Sequence, residues 1–224
     1  MFSFDYETLY TIVRGPLVWV SFIAFLGGIV YKILYLSLKA KKDKIIYTYL
    51  NFKCILRSII HWLCPYGSLS MRRHPWFTFV SFIFHIGIIL TPIFFLGHIE
   101  LWEESWGISW KGFPNFISDI LTITTITCGI LLLIRRLSLK HVRFLTTSKD
   151  YALLLLVIGV FLTGILAHYQ VVLDYRYMVV LHMLLGEIML IVIPFTRLGH
   201  MFLFWLTRAH TASEFQGVRH SKDY

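Results

Sequence analysis

His74-Pro75-Trp76-Phe77-Thr78-Phe79-Val80-Ser81-Phe82-Ile83-Phe84-His85 begins an apolar run that reaches Gly97, with a histidine at either end of the quoted stretch. A separation of eleven residues rotates a helix by about 20°, so the two imidazoles share one face. A second run, Met178 to Leu206, carries His182 and His200. Their separation of eighteen residues returns to the same face, at about 0°. Two helices that each present two stacked imidazoles can supply four axial ligands to two b-type haems, one toward each membrane surface.

Three more apolar segments complete the pattern: Pro16 to Leu38, Pro114 to Ile134 and Tyr151 to Tyr169. Hydrophobic residues make up 57% of the 224-residue chain and the mean hydropathy is +0.70, whereas soluble domains hold roughly 45–50% apolar residues. An all-α integral membrane bundle of five transmembrane helices, one domain over residues 1–224, is the expected fold. The short start, with Asp5, Glu7 and Arg14, is not the basic leader of a secretory signal, so the first helix counts as a span.

The net charge of +9 sits in alternate connections. Lys39, Lys41, Lys42, Lys44, Lys53, Arg57, Arg72 and Arg73 follow the first span against one acid, Asp43, while Glu100, Glu103 and Glu104 with Lys111 follow the second. Arg135, Arg136, Lys140, Arg143 and Lys149 then follow the third, against Asp150; Asp174 and Arg176 follow the fourth, and Arg208, Arg219 and Lys222 lie in the tail. Alternation of this kind reports orientation: the N-terminus is expected outside and the C-terminus in the cytoplasm, and no nucleic-acid partner is expected. The segment Ile45 to Cys64 is too charged to span. Lys53, Arg57 and His61 share one face among Ile55, Leu56, Ile59, Ile60, Trp62 and Leu63, which predicts an in-plane amphipathic helix ended by Pro65 and Gly67.

Other chemistry finds little support. Cys54, Cys64 and Cys128 are too scattered for a cluster, and no CxxCH, phosphate loop, nucleophile elbow or HExxH occurs. No internal repeat is found. Histidine within a span has a cost and calls for a partner, either a neighbouring helix or a metal. The predicted topology pairs His74 with His200 near the cytoplasm and His85 with His182 near the outside. The axial rise is about 16 Å for the first helix and about 27 Å for the second; tilt must absorb the difference, or one haem takes another histidine. His98 lies thirteen positions after His85, about 220° from its face on a continuous helix, which leaves it a surface or quinone-site role. His168 is the nearest substitute ligand. Arg197 is the best partner for a haem propionate. Glu187, inside a span, is expected to be protonated, paired or functional. Trp102, Trp106 and Trp110 fit an interfacial belt.

Phe84-His85-Ile86-Gly87-Ile88-Ile89-Leu90-Thr91-Pro92, Leu181-His182-Met183-Leu184-Leu185-Gly186 and Pro194-Phe195-Thr196-Arg197-Leu198-Gly199-His200 resemble the membrane cytochrome b (gamma) subunit of respiratory nitrate reductase. In that family the inner ligand of helix two stands ten residues before the outer one; here that position is Pro75, and His74 is the nearest candidate. Arg14-Gly15-Pro16-Leu17-Val18-Trp19, His74-Pro75-Trp76 and Gly186-Glu187-Ile188-Met189-Leu190 carry a likeness, over nearly the whole chain, to shorter cytochrome b subunits of transmembrane redox complexes in sulfate-reducing anaerobes. The resemblance implies a dihaem subunit of a respiratory oxidoreductase in the inner membrane, with a periplasmic multihaem cytochrome c and a cytoplasmic iron–sulfur partner related to heterodisulfide reductase. A menaquinone site would fall at the acidic outer loop, with His98 and Glu100 as candidates; a solvated acidic loop is the competing reading. A proton-conducting transporter or channel, or a haem-free membrane anchor, would use the same composition to other ends.

Overall fold

The computed structural model describes residues 6–42 and 51–220. Asp5, Asp43, Lys44, the stretch from Ile45 to Leu50, and Lys222 lie outside them. No strand occurs among the described residues. The helices are α1 (Tyr6–Ile12), α2 (Val18–Lys41), α3 (Phe52–Leu63), α4 (Leu69–Arg73), α5 (Pro75–Phe94), α6 (Leu96–Trp106), α7 (Asn115–Ser138), α8 (Lys140–Leu145), α9 (Ser148–His168), α10 (Tyr175–Phe195) and α11 (His200–Ala212). Five helical stretches are long and apolar enough to cross a membrane: Tyr6–Lys41, Pro75–Phe94, Asn115–Ser138, Ser148–His168 and Tyr175–Phe195. The chain is a multi-pass membrane protein.

The expected segments and the helical stretches differ most at three ends; the first stretch begins at Tyr6, ten residues before Pro16. The second span stops at Phe94, where Phe95 is extended (φ −72°, ψ 127°) and α6 starts afresh. The fifth stops at Phe195 instead of running to Leu206. Thr196 is extended (φ −126°, ψ −172°), its hydroxyl donates to Val192 O (2.9 Å) and accepts from Leu198 N (3.3 Å), and a single 3₁₀ turn, Arg197–Gly199, leads into α11. A hydroxyl that offers the backbone such local bonds competes with the helix ladder. In the first span, Pro16 sits in one wide turn, Val13–Leu17, between α1 and α2, as a proline that removes a ladder hydrogen bond requires.

Contacts divide the chain into two compact units, Met1–Thr11 with Phe79–Gly186, and Ile12–Thr78 with Glu187–Tyr224. In the first unit, α7 and α9 pack together. Small residues let backbones approach: a Cβ on Gly129 would lie 2.8 Å from Ile158 Cγ1 and 3.3 Å from Phe84. Buried Thr122 and Thr125 return their hydroxyls to Ser118 O and Leu121 O, both at 2.7 Å, so no polar group faces hydrocarbon unpaired there.

In the second unit, α11 packs on α3. Ser58 is fully buried and accepts from both Nε (3.1 Å) and Nη2 (3.0 Å) of Arg208, whose guanidinium lies 4.6 Å from the Trp62 ring centre. Within the segment from Ile45 to Cys64, Phe52–Leu63 is helical, started by the Asn51 side chain accepting from Lys53 N at 2.9 Å.

Candidate functional site

The break after α5 builds the centre of the first unit. A helix leaves its last four carbonyls without intrahelical donors. Here those carbonyls, Thr91, Pro92, Ile93 and Phe94, accept in turn from Phe95 N (3.0 Å), His98 Nδ1 (2.9 Å), Trp110 Nε1 (2.8 Å) and Phe113 N (2.9 Å). Trp110, read from sequence as part of an interfacial belt, therefore closes a helix end, and Trp102 packs edge-on against both Trp106 and Trp110. His98 is re-aimed by the same break.

Its ring lies parallel to that of His182, at 3° and with 6.0 Å between centres. On the other side of this pair, α10 meets α9. The Nδ1 of His182 donates to Val160 O (3.1 Å) and contacts Thr163 Oγ1 at 3.2 Å, while the Thr163 hydroxyl is spent on Gly159 O (2.8 Å). A carbonyl only accepts, so Nδ1 carries the hydrogen in both His98 and His182, and the Nε2 lone pair remains. Neither Nε2 has a hydrogen-bond partner among the described residues. Burial holds the His98 imidazole below its ordinary range, which keeps it neutral near pH 7 as a metal ligand must be.

His85 follows the same rule, its Nδ1 donating to Ser81 O at 2.6 Å. In the second unit, His200 begins α11 and donates from Nδ1 to Arg197 O at 2.8 Å. His74 differs. It is an exposed residue in the turn after α4, outside the spanning helix that Pro75 starts, and its ring has no hydrogen-bond partner among the described residues. The common-face argument fails for His74 with His85, because proline at 75 fits a first helical position and His74 stands before it. It fails for His182 with His200 as well, because the helix does not continue between them.

His168, the substitute ligand by sequence, places Nε2 3.8 Å from Asp119 Oδ1, while Asp119 Oδ2 accepts from Tyr169 OH at 2.8 Å. That imidazole lies beside a carboxylate, beyond hydrogen-bond distance. Glu187 is buried, and neither of its carboxylate oxygens has a hydrogen-bond partner among the described residues. Glu100 is exposed. Arg197 opens the 3₁₀ turn, and its carbonyl anchors His200. Sequence reasoning passed over Lys32, a cation within the first span, which donates to Pro194 O at 3.3 Å and so closes an open carbonyl at the end of α10.

Among the described residues no three His, Cys, Asp or Glu side chains converge as a metal site. A zinc site asks for three or four such donors, whereas a haem asks the protein for two axial ones. A metal–nitrogen bond of about 2.0 Å on each side, with about 1.1 Å from nitrogen to ring centre, separates two axial imidazole centres by about 6 Å. The His98 and His182 ring centres stand 6.0 Å apart, with the rings stacked.

A protein of Nitratidesulfovibrio vulgaris (strain Hildenborough), described only as "Protein", is 34% identical to this chain over 212 residues, covering 92% of this chain and 93% of the relative. The chain belongs to the family of that protein. No protein-family model and no solved structure matches.

Proposed function

We propose that this chain is a dihaem cytochrome b subunit of an oxidoreductase in the inner (plasma) membrane, carrying electrons across the bilayer between an outer donor, a periplasmic multihaem cytochrome c or menaquinol, and a cytoplasmic iron–sulfur subunit related to heterodisulfide reductase. The observation that carries this reading is the common state of His85, His98, His182 and His200. Each spends Nδ1 on a main-chain carbonyl, and in His98 and His182 Nε2 has no hydrogen-bond partner among the described residues. Anchoring of this kind fixes tautomer and ring direction and raises the basicity of the ligating nitrogen.

His98 and His182 are the proposed outer pair, His98 taking the place that helical spacing gave to His85; His85 and His200 are further candidate ligands, each in its own unit, and His74 leaves the set. A haem held by two of these imidazoles would supply one-electron transfer and would leave no open position for oxygen. Arg197 is the proposed propionate partner, since a guanidinium suits a carboxylate. The charge alternation supports an outer N-terminus and a cytoplasmic C-terminus, and α3 then lies in the plane of the inner surface.

A reduced-minus-oxidised visible spectrum of the purified chain tests the proposal. Two sets of b-type bands are expected. A chain without them is a transporter, a channel or a haem-free anchor.

A further inference from the structure

One face of α3 is pinned to the rest of its unit, and the opposite face is covered by nothing among the described residues. Ser58 and Trp62, one turn apart, hold Arg208 of α11. About 120° to 200° around the helix from Ser58 stand Phe52, Leu56, Ile60 and Leu63, with exposures of 76%, 45%, 51% and 58%. Four large apolar side chains turned away from the protein along one helix face are costly in water. Between the pinned face and the apolar face runs a basic edge, Lys53, Arg57 and His61, at successive turns. Lys53, Leu56, Arg57, Ile60 and His61 line a shallow groove of about 430 Å³.

We propose that this groove binds an anionic phospholipid, its phosphate on the Lys53–Arg57–His61 edge and its acyl chain along Leu56 and Ile60. Charge complementarity selects the headgroup, and the apolar half of the same groove selects a lipid over a free anion. The chain is a membrane protein, so the ligand is within reach of the site. Arginine offers two parallel donors to phosphate oxygens and Lys53 a point charge, a division suited to a phosphodiester. The cap at Asn51 and the clamp at Ser58 fix the helix that carries this edge.

The site is tested on the full chain reconstituted in nanodiscs of phosphatidylcholine with a minor share of phosphatidylglycerol, followed by native mass spectrometry in detergent. The wild type is expected to retain phosphatidylglycerol in preference to phosphatidylcholine. The double substitution Lys53→Gln and Arg57→Gln is expected to lower that retention about tenfold, and Lys53→Arg to keep it. Arg143→Gln, on α8, is expected to change nothing. Inorganic phosphate is expected not to displace the lipid. Both glutamines are at exposed positions, and an unchanged circular dichroism melt confirms that the variant folds. Equal retention of the two lipids by the wild type, displacement by phosphate, or unchanged retention in the double variant overturns the proposal. Loss of a copurifying protein without loss of lipid would also overturn it, by making the face a protein interface. The outcome is independent of the haem bands.

Discussion

Pro92-Ile93-Phe94-Phe95-Leu96-Gly97-His98 closes α5 and Pro194-Phe195-Thr196-Arg197-Leu198-Gly199-His200 closes α10, so proline, leucine, glycine and histidine recur at the same positions of two seven-residue stretches. In each, the helix breaks within three residues of the proline, and the histidine beyond the break turns its Nδ1 back onto a carbonyl. The means differ. At the end of α5, the carbonyls are closed by groups 15 to 20 residues downstream, Trp110 and Phe113. At the end of α10, the Thr196 hydroxyl and the main chain of the turn do the local work, with Gly199 N donating to Thr196 O at 3.2 Å and Lys32 closing Pro194 O. The first histidine therefore depends on the segment after α6 for its position, and the second on its own turn with Lys32 of α2. A break, more than a helical face, is what presents each imidazole.

The sharpest way to break this equivalence is to remove the two histidines. His98→Ala and His200→Ala are each expected to lower the haem content of the purified chain from two to one, by pyridine haemochrome, and to remove different haems. Two low-spin haems in His98→Ala would mean that only the α10 break presents a ligand. The parallel rings of His98 and His182 add a signature. Parallel axial imidazoles give a rhombic low-spin EPR signal, so the haem lost in His98→Ala should be one with that signal. Addition of imidazole to a His98→Gly variant should restore it.

A second pair of substitutions separates the anchored from the unanchored histidine. His85→Ala is expected to cost one low-spin haem. His74→Ala is expected to leave both, because nothing fixes that ring. Loss of a haem in His74→Ala with retention in His85→Ala would restore the spacing-based assignment.

The five spans were legible because roughly twenty apolar residues in a row have one reading in a chain of this composition. The breaks were not. Phe95 and Thr196 stand at the break points, and neither is a glycine or proline, the residues that punctuate a helix from sequence alone. Each break is stabilised by bonds that exist only once the chain has folded, Trp110 onto Ile93 O and Lys32 onto Pro194 O. The 220° that set His98 aside assumes a helix running through Phe95. Once the helix stops there the angle has no meaning. His182 was legible as a candidate, but its anchor on Val160 belongs to another helix.

Smaller effects come from the devices that hold the breaks. Trp110→Phe removes the donor to Ile93 O, and leaving that carbonyl unpaired should cost about 1–3 kcal/mol, read as a lower melting temperature of the outer-haem signal. Thr196→Val removes the local acceptor of Leu198 N and the donor to Val192 O, at about 1 kcal/mol, read at the haem that His200 holds. If the α5 break depends on the distant loop and the α10 break on its own turn, each substitution should disturb one haem alone. Disturbance of both by either one would mean that the two breaks are not independent.

The smallest expected effect comes from the glycine under His182. A Cβ added to Gly164 would stand 3.0 Å from His182 Cε1 and 3.4 Å from Nδ1, closer than ordinary van der Waals contact allows. The ring must yield by a few tenths of an ångström, and the Nδ1 contacts with Val160 O and Thr163 Oγ1 are the ones such a shift would disturb. Weakening that second-sphere hydrogen bond makes Nε2 a poorer donor without removing it. Gly164→Ala should therefore keep both haems, with the midpoint potential of the outer one raised, because weaker donation favours the reduced iron. The counterpart behind His200 is Gly199, where a Cβ would lie 3.1 Å from Ile193 O and 3.7 Å from Leu203 Cδ1 and Pro194 O. Gly199→Ala should strain the turn but leave the potential of its haem near the wild-type value. A redox titration of the two variants reads both. A shifted potential in Gly199→Ala with none in Gly164→Ala would show that the α10 turn, and not the packing of α9 on His182, tunes the ligand.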